Sequence, residues 1–135
     1  MANIGYATFL YYGTAGMAAT TEITNVKSIS IGGVSVGSVD TTVLQATNAA
    51  KTFLSGLIDG GEITFTIQFD GTQYATLYGF LRTTKSWQVT FPDTGAATFA
   101  SDGFITNISV PTLQNEDEIV YDITVKLTGK PVWTA

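Results

Sequence analysis

Glu62-Ile63-Thr64-Phe65-Thr66-Ile67-Gln68-Phe69 alternates without a break: Ile63, Phe65, Ile67 and Phe69 fall on one side, Glu62, Thr64, Thr66 and Gln68 on the other. A period of two marks a β-strand with one buried and one wet face. Asp70-Gly71 closes the run. The spacing then changes, because Tyr74, Leu77, Tyr78 and Leu81 stand at i, i+3, i+4 and i+7. That pattern predicts a helix over 73–82, covering the end or one face of the sheet.

Outward from this pair the β signal continues. Residues 5–12 are apolar and aromatic (Tyr6, Phe9, Tyr11, Tyr12) and Gly13-Thr14-Ala15-Gly16 loosens the chain, so 1–20 reads as an N-terminal arm or short strand with a loop. Residues 24–31 are β-prone and stop at Gly32-Gly33; Val34 to Leu44 forms a second such run, which Gly37 interrupts. Downstream, Trp87, Val89 and Phe91 alternate up to a turn at Pro92-Asp93-Thr94-Gly95. A return strand over 97–110 changes phase near Asp102-Gly103, which predicts a bulge. After a polar loop at Gln114–Glu118, Ile119, Tyr121, Ile123, Val125 and Leu127 share one side of a last strand, ended by Gly129-Lys130-Pro131. Phe65, Phe69, Trp87, Phe91, Phe99, Phe104 and Tyr121 are the expected aromatic core.

Residues 45–61 differ. Ala, Asn and Ser dominate, alternation is lost, and the segment closes on Asp59-Gly60-Gly61. It reads as a long loop with room for one helical turn around Ala49–Leu54, and long loops in compact domains are usually functional. Phe53, Leu57 and Ile58 give it apolar anchors for docking. The fold class is therefore mainly β, a two-sheet sandwich or partly open barrel with one short helix, in a single domain over 1–135.

The chain has 135 residues, of which 44% are hydrophobic and only 13% charged. So few charges on an exterior suit either coverage by further copies of the chain or a Ser/Thr-rich secreted surface. A net charge of −5 argues against a phosphate-gripping surface, and the basic residues (Lys27, Lys51, Arg82, Lys85, Lys126, Lys130) are scattered. No apolar stretch approaches a membrane span, and Met1-Ala2-Asn3-Ile4 shows no secretory signal. With no Cys and no His, nucleophile–imidazole catalysis and ordinary zinc sites are excluded. No cofactor or catalytic site is expected.

The ordered run 25–33 (NVKSISIGG), 39–45 (VDTTVLQ), 53–70 (FLSGLIDGGEITFTIQFD), the helix, 87–95 (WQVTFPDTG), 102–110 (DGFITNISV) and 123–131 (ITVKLTGKP) resembles the lambda-like major tail tube family of long-tailed (siphovirus) bacteriophages. The resemblance covers about residues 23–131, and its force lies in the conjunction rather than in any one motif. It implies a virion structural protein, made in the host cytoplasm, that assembles into stacked hexameric rings forming a conduit for DNA ejection. It implies sheets joined between neighbours, and partners in tape measure, tail terminator and tail-tip proteins, with DNA passing through unbound. The sequence stops soon after Pro131-Val132-Trp133, so no additional C-terminal immunoglobulin-like domain is expected. The segment 45–61 would be the loop reaching an adjacent ring, with Thr47, Asn48, Lys51, Phe53, Leu54, Leu57 and Ile58 in contact.

The bare strands 24–31, 34–44 and 119–128 carry few charges and no Pro, which suits edges completed by neighbours. A DNA conduit should not adhere to its cargo, so Asp40, Glu62, Thr64, Thr66, Gln68, Asp122 and Thr124 are candidates to face the lumen, with the net negative charge concentrated there. Each reads equally as a plain solvent face. Glu116-Asp117-Glu118 lacks any calcium-loop spacing, and Asp59 with Glu62 reads as turn and strand-start rather than an acid/base pair. The competing readings are a carbohydrate- or receptor-binding sandwich and the tube of a contractile injection or secretion system; a carboxylate glycosidase comes last.

Overall fold

The alternating run becomes an interior strand because its apolar side meets apolar sides on both neighbours. The computed structural model describes residues 8–44, 47–92, 95–111, 113 and 118–135. Its elements are β1 (Phe9–Thr14), β2 (Thr21–Ile23), β3 (Val26–Ile31), β4 (Ser35–Asp40), β5 (Phe53–Asp59), β6 (Glu62–Gln68), α1 (Gly71–Tyr78), β7 (Thr84–Thr90), β8 (Thr98–Ile108) and β9 (Val120–Thr134). Among the described residues the fold is mainly β, with one short α-helix, two sheets and no closed barrel. Seven strands form an antiparallel sheet in the order β2-β1-β7-β8-β9-β6-β3; β4 and β5 form a separate two-stranded sheet.

The large sheet rolls around its own core. Phe65 of β6 and Trp87 of β7 have ring centroids 6.1 Å apart although two strands separate them in the sheet. β2 and β3 lie at opposite margins, yet only Thr24 and Asn25 connect them. Helix α1 fastens this corner. The Gln73 side chain accepts from the Thr24 N–H and hydroxyl (both 3.1 Å) and donates to the Thr24 carbonyl (2.9 Å). Asp70 caps the helix by accepting from the Thr72 N–H at 3.0 Å, and Leu77 is fully buried in the core. Leu10, Ile63, Ile67, Val89, Ile105, Ile123 and Val125 complete that core with Phe65, Trp87 and Tyr121.

Several expectations need correction. Residues 53–59 are a strand, not part of an irregular loop, and the helical turn is a short 3-10 turn at Thr47–Ala49. The 119–128 strand is not an edge: β9 pairs with β6 on one side and β8 on the other, because its apolar alternation matches both. Nor does it end at Pro131. The ladder steps from Asp102↔Thr128 to Ala100↔Val132, so Gly129–Pro131 bulges out and the strand resumes. The expected change of phase near Asp102-Gly103 does not occur in β8: Phe99, Ser101, Gly103 and Ile105 face inward in unbroken alternation, so Phe104 points away from the core and is 38% exposed. Phe69 lies just past β6, where its ring packs against Tyr74 and Tyr121 at the rim and stays partly exposed. Asp93 and Thr94 of the expected turn, and Gln114–Asp117 of the polar loop, lie outside the described residues.

Candidate assembly surfaces

The side of the sheet facing away from the core is a lattice of hydroxyls. Register places Glu62 opposite Lys126, Thr64 opposite Thr124, and Thr66 opposite Asp122. On the far side of β6, Ser28 and Ser30 stand opposite Thr66 and Thr64. The Thr66 hydroxyl donates to Asp122 Oδ1 at 2.6 Å, and the Asp122 N–H donates to Ser109 Oγ at 2.8 Å. Six candidate lumen residues (Glu62, Thr64, Thr66, Gln68, Asp122, Thr124) are thus together on one face of β6 and β9. Asp40 is not among them, because it lies on β4 in the other sheet. Ser28, Ser30 and Asn107 join this face; their polar positions opposite Thr66, Thr64 and Thr124 were the signal for them.

The β4–β5 hairpin is an arm. Every residue of β4 is exposed, as are all of β5 except half-buried Gly56. Half of the exposed large apolar side chains among the described residues lie between Val34 and Ile58: Val34, Val36, Val39, Val43, Leu44, Phe53, Leu54, Leu57 and Ile58. All seven residues expected to contact a neighbouring ring are on it. Thr47, Asn48 and Lys51 stand at the tip, and Phe53, Leu54, Leu57 and Ile58 line β5. Near the tip the Thr42 hydroxyl and N–H hold the Asp40 carboxyl below its ordinary value.

The arm's foot is fixed. Asp59 Oδ1 accepts from the Gly61 N–H and from Lys126 Nζ, each at 2.9 Å, and these contacts lower its pKa in that order. The Gly32 N–H donates to the Glu62 carbonyl, and the Leu127 N–H to the Gly61 carbonyl. Gly33 and Gly61 both take positive φ, and a Cβ on Gly61 would stand 2.2 Å from the Gly33 carbonyl oxygen. The two diglycine steps therefore let the strands leave the body side by side.

Two margins of the large sheet have no strand beside them among the described residues: the outer edges of β2 and β3. Glu118 forms an ion pair with Lys27 at 2.7 Å, whereas Glu116 and Asp117 are outside the described residues. Asp59 serves the arm's foot and makes no pair with Glu62. Among the described residues no three acidic side chains gather into a possible metal site. Among the described residues no helix is long and apolar enough to cross a membrane.

A family model described as lambda phage tail tube protein, TTP, matches residues 10–134. No curated protein matches the sequence. Among solved structures, a chain from the tail of an empty gene transfer agent particle with C6 symmetry aligns over 99% of this chain and 100% of its own, at 20% identity and a TM-score of 0.75. A chain from the native gene transfer agent virion aligns over 99% and 100%, at 19% identity and 0.74. A chain from the sheath/tube terminator of an extracellular contractile injection system aligns over 100% and 98%, at 14% identity and 0.77. At these identities the structural likeness is one of fold.

Proposed function

The chain belongs to the lambda phage tail tube protein family and is a structural tail tube subunit of phage-like virions; on that premise we propose that its copies close into sixfold rings and stack into a hollow conduit for DNA. One observation carries this reading: an arm with nine exposed large apolar side chains that its own body does not cover. The largest apolar patch on a typical monomer is about 300–600 Å² and often functional, so an arm with apolar residues along its length needs a partner. The outer edges of β2 and β3, which no described strand accompanies, suit sheet pairing between neighbours, which is head-to-tail and closes into a ring. The C6 symmetry of the related tail makes six the natural ring size.

In this reading the hydroxyl face of β3, β6 and β9 lines the lumen. Thr64, Thr66, Gln68 and Thr124 offer DNA no cations, while Glu62 and Asp122 add repulsion and Lys126 is engaged by Asp59. Counterion release, the main source of adhesion to DNA, then has little to draw on. The 45–61 half of the arm reaches the adjacent ring through Thr47, Asn48, Lys51, Phe53, Leu54, Leu57 and Ile58. Tape measure, terminator and tail-tip proteins would meet the bore and the two ends of the tube, after synthesis of the subunit in the host cytoplasm.

Negative-stain electron microscopy of concentrated protein tests the proposal. Wild type is expected to form uniform hollow tubes or rings. Leu54→Ser with Leu57→Ser is expected to stay monomeric while melting within about 0.5 kcal/mol of wild type, as surface changes do. Wild-type protein that remains monomeric at every concentration would sink the proposal.

A further inference from the structure

We propose that the arm is gripped on both of its faces by other copies of this chain, rather than lying with one face against a single surface. This rests on the tube-subunit reading. A strand that covers one surface shows one apolar and one polar side; a strand buried on both sides shows no such alternation. The arm belongs to the second kind. Val36 pairs with Ile58, Ser38 with Ser55, and Asp40 with Phe53, so one face carries Val36, Ile58 and Phe53. Ser35 pairs with Asp59 and Val39 with Leu54, so the opposite face carries Val39 and Leu54. Directly opposed residues share a face, so each apolar pair marks its own side.

Exposure is similar on the two sides: Val36 54% and Phe53 60% on one, Val39 53% and Leu54 61% on the other. Leu57, at the register shift between them, is 91% exposed. Neither face is turned toward the body, so neither is reserved for an intramolecular contact. The arm is also poor in charge. Between Val34 and Ile58 only Asp40 and Lys51 are ionic, which suits insertion into an apolar cleft. Its reach suffices for an intermolecular role. β4 has six residues, and at about 3.3 Å per residue the paired part of the arm extends on the order of 20 Å. A domain of this length has a radius of gyration of roughly 14 Å, so the arm can reach well into a neighbour. The occupant is a second copy because a tube subunit meets chiefly its own kind, and a cleft between two copies offers two walls.

The chain has no cysteine, so single thiols report cleanly. Ser38→Cys and Val39→Cys place thiols on adjacent residues of opposite faces. In dilute monomer both should react with a maleimide at similar rates. In assembled tubes both should slow by more than tenfold. A variant that no longer assembles marks its face as a contact and supports the proposal if the other face is protected. One thiol that stays as reactive in tubes as in monomer overturns it, because that face is then open to solvent. Absence of tubes for wild-type protein is a different result and strikes the tube reading itself.

Discussion

Lys126 Nζ stands 2.9 Å from Asp59 Oδ1, and this contact joins a central strand of the large sheet to the foot of the arm. Both side chains are substantially exposed, so the pair contributes little to global stability. Its effect is local, on how the arm leaves the body. Asp59→Asn or Lys126→Met should leave the melting temperature nearly unchanged while amide exchange along β4 and β5 accelerates. The pH dependence follows from the lowered carboxyl pKa of Asp59, caused first by the Gly61 N–H and then by Lys126. A lowered folded-state pKa gives stabilisation that is present above the unfolded value of 3.8 and fades as pH falls through the folded one. Exchange in the arm should therefore rise below that value in wild type and not in Asp59→Asn.

The glycines at the foot allow a comparison of two costs. Gly16 and Gly61 have nearly the same positive φ, 79° and 78°. A Cβ on Gly16 would meet nothing within 4 Å, whereas on Gly61 it would collide with the Gly33 carbonyl. Gly16→Ala should cost about 1–2 kcal/mol, the left-handed backbone penalty alone. Gly61→Ala should cost roughly 3–4 kcal/mol through the added clash. Urea unfolding separates them, and equal costs would mean that the Gly33–Gly61 approach is not as close as described.

In the core, the buried indole of Trp87 donates to the Gly103 carbonyl at 3.1 Å. Trp87→Phe removes this buried hydrogen bond and opens a small void. The expected loss is about 2–4 kcal/mol, read from the urea midpoint at unchanged slope. A loss well under 1 kcal/mol would show that the carbonyl finds another donor.

Tyr121 offers a second pH test. Its hydroxyl is buried; the Gln73 amide nearby is occupied by Thr24, and the phenol has no well-formed hydrogen bond. Burial raises the phenol pKa above its ordinary 10.0, Asp70 and Tyr74 add to the rise, and Gln73 opposes it. A raised folded-state pKa means full stability below pH 10 and progressive loss as pH climbs through the folded value. Tyr121→Phe should be neutral or slightly stabilising at pH 7 and should flatten the alkaline loss between about pH 10 and 12.

How much of this was readable beforehand depended on whether a residue's neighbours lie in the same molecule. β6 was legible because Ile63, Phe65 and Ile67 bury against β9 and the rolled sheet, which enforces a period of two. The helix was legible from Tyr74 and Leu77, although it stops at Tyr78 rather than reaching Arg82. β5 was missed because Phe53 and Leu54 are apolar neighbours on opposite faces, so its sequence carries no alternation. The outward turn of Phe104 was hidden for another reason: Ser101 and Gly103 hold the inward places between Phe99 and Ile105, so apolarity does not mark the buried parity there. Among the candidate site residues, those of β6 and β9 came together because they share parity on paired strands. Asp40 did not, since parity within one strand says nothing about which sheet the strand joins.

The two-residue step from Ile23 to Val26 bears on the order in which the chain folds. β2 and β3 adjoin in sequence but occupy opposite margins, so one sheet holds both only when β1 has found β7 and β6 has found β9. Pairings between residues so distant along the chain form slowly. The β2 margin needs only a local hairpin with β1, whereas the β3 margin waits for distant β6, so a half-made subunit offers at most one completed border through which to recruit another.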